Sequence, residues 1–324
     1  MNILKFEERF PDEESCITFF KAKREHEGVV CKKCKGKDHY WLHNKNMFQC
    51  KTCEFRTSLK SGTVMENSNL TLRQWLMAIT FISATKQGFT ALELQRQMDF
   101  TRYQTVFDLC HKIRVIMGKR DNEYKLEDMI EYDEAYITKA TSASKKKDLN
   151  RGRGTQQKAT VAVMAESTVL EDFKTKELTK SCRYFKMKKI EDLKAKTAEK
   201  LIKDFVNKDA VLQTDDSTTY AKFEDFVDVH VTELSSTKKG KFNLKWAHTA
   251  ISNLKSDLRK YRMISERKLQ NYIDEFCYKL NRRYFGERLF DRLIIASIQP
   301  YWQSSGYTYF FFSFSMHGTQ ISTQ

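Results

Sequence analysis

Two Cys-x-x-Cys pairs, Cys31-Lys32-Lys33-Cys34 and Cys50-Lys51-Thr52-Cys53, constrain this chain more than any other feature. Fifteen residues separate them, a length that suits a hairpin returning the second pair to the first. Four thiolates around one centre satisfy the tetrahedral preference of zinc, and a closed all-cysteine set makes the ion structural. His39-Tyr40-Trp41-Leu42 and Met47-Phe48-Gln49 read as the hairpin arms, with His43-Asn44-Lys45-Asn46 as the turn. The segment is short and lysine-rich, so metal binding supplies much of its stability. His26, His39 and His43 are alternative ligands that a complete cysteine set makes unnecessary. Cys16, Cys110, Cys182 and Cys277 stand alone, as small buried side chains in a reducing compartment do.

Charge points to a polyanionic partner. The chain carries 57 Lys and Arg against 42 Asp and Glu, a net charge of +15. The excess is clustered, with eight basic residues against two acids over 32–60 and seven against one over 139–158. Separated basic stretches fit an extended polyanion better than a small acidic ligand. No apolar run is long enough to span a bilayer, and the first residues lack a secretion signal. The expected compartment is the cytoplasm.

A helical region follows. Thr71 is an expected N-cap for a helix bearing Trp75, Leu76, Ile79 and Ile82 on one stripe, and Gly88 breaks the pattern. Thr90 precedes a short helix. After a link at Asp99-Phe100, Thr101 opens a longer one with Val106, Leu109, Ile113 and Ile116 on one face. Arg102, Tyr103, Gln104 and Thr105 at its start match a helix-turn-helix that presents polar side chains to a major groove.

Downstream, residues 129–137 alternate as a strand, with Glu131, Asp133 and Ala135 on one face and Ile130, Tyr132, Glu134 and Tyr136 on the other. The stretch from Ser144 through Gly154 reads as a basic hairpin loop. Strands are expected at Ala159–Met164 and around Cys182–Phe185, then a helix over 191–206 with Leu193, Ala198, Leu201, Ile202 and Phe205 as its stripe. A strand at Val211–Thr214 ends on Asp215-Asp216. Strand, strand, strand, helix, strand is the order of a ribonuclease-H-like α/β sheet, in which Asp133 and Asp215 can meet. Phosphodiester chemistry needs such convergence, because two metal ions neutralise the entering and leaving oxygens. A helix begins near Trp246, placing His248 and Lys255 on one face two turns apart, with Asn253 about 140° round. Ser265 starts another, with Leu269, Tyr272, Ile273, Phe276, Cys277 and Leu280 as its apolar stripe.

Over roughly residues 8–292 the chain resembles bacterial insertion-sequence transposases with an N-terminal transposase zinc ribbon and an ISXO-type catalytic domain, within the wider DDE class. The resemblance is carried by Phe10-Pro11 with Glu14 and Cys16, by Ser61-Gly62-Thr63-Val64-Met65-Glu66, and by the Asp133-Glu134 strand. It extends through Arg151-Gly152-Arg153-Gly154, Thr214-Asp215 with Tyr220, His248 through Lys255, Tyr272-Ile273-Asp274-Glu275-Phe276 and Asn281-Arg282-Arg283. The expected layout is an N-terminal segment with the zinc ribbon at 1–66, a helix-turn-helix region at 67–120, the ribonuclease-H-like catalytic domain that the resemblance implies at 125–292, and a tail at 293–324 that fits no pattern of the family. The resemblance also implies a cytoplasmic, nucleoid-associated enzyme, oligomeric on DNA, that cuts element ends and joins them to double-stranded target DNA. Asp133 and Asp215 would be the first two ligands for magnesium or manganese, with Asp216 a neighbouring alternative. The third position, usually Glu seven residues before a Lys, is His248 here, paired with Lys255. Asn253 is the reserve ligand. Imidazole brings no negative charge, which shifts the expected preference toward manganese. A non-catalytic DNA-binding regulator and a hydrolytic nuclease of the same fold are the rival readings.

Overall fold

The computed structural model describes residues 1–139, 158–171, 178–215, 223–233, 244–261 and 264–299. The basic loop expected over 144–154, Asp216, Tyr220 and the chain from residue 300 onward lie outside these. The described residues divide into two units, one drawn from Met1–Ala84, Leu94–Lys119 and Gly286–Gln324, the other from Thr85–Glu93 and Arg120–Phe285.

In the first unit, α1 (Ile3–Arg9) and α2 (Glu13–Glu27) precede a three-stranded antiparallel sheet of β1 (His39–Leu42), β2 (Met47–Cys50) and β3 (Arg56–Ser58). Asp12 and Ser15 cap α2 reciprocally, and Glu13 at its first position accepts the Leu72 and Arg73 N–H groups at 2.7 and 2.9 Å. Those donors open α3 (Leu72–Ala84), whose expected cap is present: Thr71 and Gln74 exchange side-chain-to-backbone bonds. Trp75, Leu76, Ile79 and Ile82 are buried as the periodicity predicts.

The chain continues through α4 (Ala91–Gln97) and α5 (Tyr103–Asn122). Thr90 and Glu93 form a capping box at α4. The long helix starts two residues later than Thr101, and Val106, Leu109, Ile113 and Ile116 are its buried face, while Arg102, Tyr103 and Gln104 are exposed.

The last described helix runs Arg288–Ile298, across the expected boundary at 292/293. This helix, α9 in chain order, belongs to the first unit. Phe290 lies 6.2 Å by ring centroid from both Phe10 and Phe19, and the Val64 N–H donates to the Ser297 carbonyl. Its stripe of Leu289, Phe290, Leu293 and Ile294 is buried, each such side chain contributing about 1.5–3 kcal/mol.

The second unit is built on a five-stranded sheet of β4 (Met129–Thr138), β5 (Lys158–Glu171), β6 (Leu178–Ile190), β7 (Val211–Asp215) and β8 (Val229–Glu233). The spatial order is β6-β5-β4-β7-β8. The first three run antiparallel, whereas β7 and β8 lie parallel to β4. As the central strand, β4 is buried on both faces. Ile130 and Tyr132 join Leu212 and residues of α6 (Ala195–Phe205) in one core. Ala135 and Ile137 join α7 (Lys245–Leu258) and α8 (Glu266–Asn281) in the other.

Several expectations change at the edges. Leu193 precedes α6 and is 44% exposed, so it is not part of that helix's stripe, whereas Ala198 and Ile202 are buried. Ser265 occupies the N-cap position of α8 without a side-chain capping bond. Strand β8 was not expected; it pairs with β7 through the Asp215–Glu233 level.

Candidate functional site

Each Cys-x-x-Cys forms the same knuckle. The carbonyls of Cys31 and Cys50 accept from Lys35 and Glu54, both at 3.0 Å, and both donors adopt left-handed backbone, with φ of 61° and 56°. Cys31 and Cys50 themselves donate to the carbonyls of Gly36 and Phe55. The two knuckles face each other, with Cys31 Sγ 3.6 Å from Cys53 Sγ and Cys34 Sγ 3.4 Å from Cys50 Sγ. All four sulfurs lie within 4.8 Å of one another. Tetrahedral zinc with bonds of about 2.3 Å separates its sulfurs by roughly 3.8 Å, so the cluster could hold one ion. A Cβ at Gly36 would sit 3.3 Å from Cys34 Sγ, which explains the small residue there.

The knuckle amides and neighbouring sulfurs shift the Cys31, Cys34 and Cys50 thiols in different directions. The N–H groups of Cys53 and Thr52 hold the Cys50 thiol down at about 6, and the Cys34 and Lys33 N–H groups lower Cys31. At Cys34 the Gly36 N–H is outweighed by the neighbouring sulfurs and by burial, which push it up to about 12. A divalent metal bound by all four sulfurs would displace the thiol protons and neutralise the resulting charge.

A second constellation lies on the α7 face of the five-stranded sheet. Alternation along β4 puts Glu131 and Asp133 on that face. The parallel register pairs Glu131 with Gln213. Asp133 and Asp215 each lie two residues further along these adjacent strands, and the Asp215 charge acts on the Asp133 carboxyl. From the helix above, His248 Nε2 reaches 3.2 Å from Asp133 Oδ2. The other oxygen of Asp133 accepts the Glu134 N–H at 2.8 Å.

The electrostatics of Asp133 register the same neighbours. Burial pushes its carboxyl above the ordinary range; the Glu134 N–H and the positive charges available at His248 and Lys255 pull it down, and the charge of Asp215 pushes it up. Asp215, His248 and Lys255, up to 122 positions away in the chain, thus all act on the Asp133 carboxyl. The site is accessible: the His248 side chain is 51% exposed and that of Asp133 22%. Asp133 and His248 thus meet on one accessible face, with the Asp133 carboxyl raised chiefly by burial and further by the Asp215 charge. Asn253 is exposed on α7, and helical spacing turns it about 140° away from His248.

Residues 125–281 match the ISXO2-like transposase domain. The resemblance to insertion-sequence transposases holds. The matched span contains Asp133, Asp215, His248 and Lys255 together with β4–β8 and α6–α8. An uncharacterized protein in transposable element ISH50 of Halobacterium salinarum is 28% identical over 132 residues, which is 39% of this chain and 42% of that protein. The chain therefore spans less than half the length of that relative. The four-cysteine cluster lies ahead of the ISXO2-like domain.

Sequence reasoning did not assign one residue of this domain a role. Glu131, only 2% exposed, accepts the N–H groups of Trp246 and Ala247 at 2.7 and 2.9 Å through a single oxygen, Oε2. The signal available was its place on the Asp133 face of the strand; its partner was not legible, lying 115 residues away. No described helix is long and apolar enough to cross a membrane.

Proposed function

We propose that this chain is a DDE-type DNA transposase that cuts the ends of an insertion element and joins them to target DNA. The observation that carries the reading is the approach of His248 to Asp133 at 3.2 Å, with Asp215 and Lys255 acting on the same carboxylate. The sheet order β6-β5-β4-β7-β8, with its antiparallel first three strands and parallel last two, supports a ribonuclease-H-like core.

In this reading Asp133 and Asp215 hold the divalent ions, magnesium or manganese, and His248 supplies a neutral nitrogen ligand. When bound, such ions neutralise charge on the attacking and leaving oxygens of a phosphodiester. Lys255, exposed two turns beyond His248 on the same helix face, places a point charge against a backbone phosphate. The Asp133 carboxylate is held by the Glu134 N–H, which leaves Oδ2 directed toward His248. The cysteine cluster holds a structural zinc ion, and the ribbon together with the exposed start of α5 binds the element ends. Two ends must be joined in one event, so the enzyme works as a homo-oligomer on double-stranded DNA, in the cytoplasm.

The test supplies pre-cut ends taken from the DNA flanking the gene, with Mg2+ or Mn2+. The expected result is strand joining by the wild-type chain and none by Asp133→Asn, with end binding retained. Cleavage without joining would identify a nuclease. Binding alone would identify a regulator.

A further inference from the structure

We propose that Glu131 is a positioning residue that fixes the helix carrying His248 against the strand carrying Asp133. The proposal rests on the transposase reading and deepens it. Helix α7 has Leu244 at its N-cap position and gains no capping bond from it. The capping acceptor comes instead from the sheet, since Glu131 Oε2 receives the N–H groups of Trp246 and Ala247. A carboxylate at a helix N-terminus gains from both charge-assisted hydrogen bonds and the helix dipole.

The geometry couples this cap to the site. Glu131 and Asp133 are alternate residues on one face of β4, while Ala247 and His248 are consecutive on α7. The strand and helix therefore touch at two successive rungs: Glu131 on the first turn's amides, then Asp133 on His248 at 3.2 Å. Burial of Glu131 makes the first rung rigid, whereas the second is exposed and carries the ligands. A shift of the helix by a fraction of a turn would move His248 without disturbing either aspartate. Groups that orient metal ligands in this way typically contribute about 10- to 100-fold to metal affinity or activity.

The experiment measures Mn2+ binding to the full-length chain by electron paramagnetic resonance of the free ion, and joining of pre-cut ends, for Glu131→Gln and Glu131→Ala. Both are read at a temperature where circular dichroism shows the variant folded. Glu131→Gln keeps the volume and an acceptor oxygen, so it carries the test if the alanine variant fails to fold. The expected result is Mn2+ affinity and joining rate reduced by about 10- to 100-fold in Glu131→Ala and less in Glu131→Gln, with affinity for the DNA ends unchanged. Folded variants that bind Mn2+ and join ends as the wild type does, even with a lowered melting temperature, would overturn the proposal and leave Glu131 a plain helix cap. Asp133→Asn serves as the control. Wild-type Mn2+ affinity in that variant would overturn the ion site itself, and this proposal with it; a loss there with none in the Glu131 variants overturns only the role of Glu131.

Discussion

His248 Nε2 stands 3.2 Å from Asp133 Oδ2, a contact between a helix and a central strand whose residues are 115 positions apart. In the resembled group a Glu usually holds the helical position, so under the proposed function the imidazole would make a specific demand on the ion. It contributes a donor without contributing charge. His248→Ala should therefore lose joining activity, while His248→Glu should retain it and lower the Mg2+ concentration needed for half-maximal joining by about tenfold. Parallel Mg2+ and Mn2+ titrations of the joining rate check this; a His248→Glu variant that remains manganese-dependent would remove His248 from the ligand set.

Lys255 sits two helical turns from His248 and carries its charge toward the same carboxylate. Its expected partner is a DNA phosphate. Lys255→Ala should reduce end joining and flatten the dependence of log affinity on log salt by about one unit, leaving Mn2+ binding in place. Anisotropy of labelled ends over a salt series measures the slope. An unchanged slope would mean that Lys255 acts within the protein only.

The four sulfurs within 4.8 Å of one another could hold one structural zinc ion in the first unit. Cys34→Ser should lower the zinc content measured by atomic absorption from one ion per chain toward zero. Amide exchange across 31–58 should then accelerate, because the ion would tie the two knuckles together. Binding of DNA ends should fall with it. Retention of one zinc ion in that variant would contradict the four-cysteine site.

Asn281 joins α8 to β6, the edge strand of the five-stranded sheet. Its Oδ1 accepts the Phe185 N–H at 2.7 Å, and its Nδ2 donates to the Phe185 carbonyl, Asp121 Oδ2 and the Tyr124 hydroxyl. Asp121 also pairs with Arg282 at 2.6 Å. Asn281→Leu strands these buried groups, and a single unsatisfied group costs about 1–3 kcal/mol. Urea unfolding should show a loss of at least that size. A loss below about 0.5 kcal/mol would show the network to be dispensable.

What the sequence revealed and what it hid divide along chain separation. The knuckles at Cys31–Cys34 and Cys50–Cys53 are local, so their spacing sufficed. The central strand was readable from Glu131–Ala135, and the α8 stripe from Leu269 to Leu280, because burial imposes a short period on each. His248 and Lys255 were placed on one face by helical geometry alone. Strand β8 escaped because Val229 and Val231 are 44% and 38% exposed at a sheet edge, where burial imposes no strong pattern. The packing of Phe290 on Phe10 and the capping of α7 by Glu131 escaped for a different reason. Each joins segments more than a hundred residues apart, and neither end carries a local signature of the other.

The most direct measurement of the central claim is anomalous diffraction from crystals of the full chain soaked in Mn2+. The account predicts a manganese peak on the α7 face of the sheet, about 2.1 Å from carboxylate oxygens of both Asp133 and Asp215 and within bonding reach of His248 Nε2. Saturating Mn2+ with no peak there, or a peak that involves neither aspartate, would contradict it.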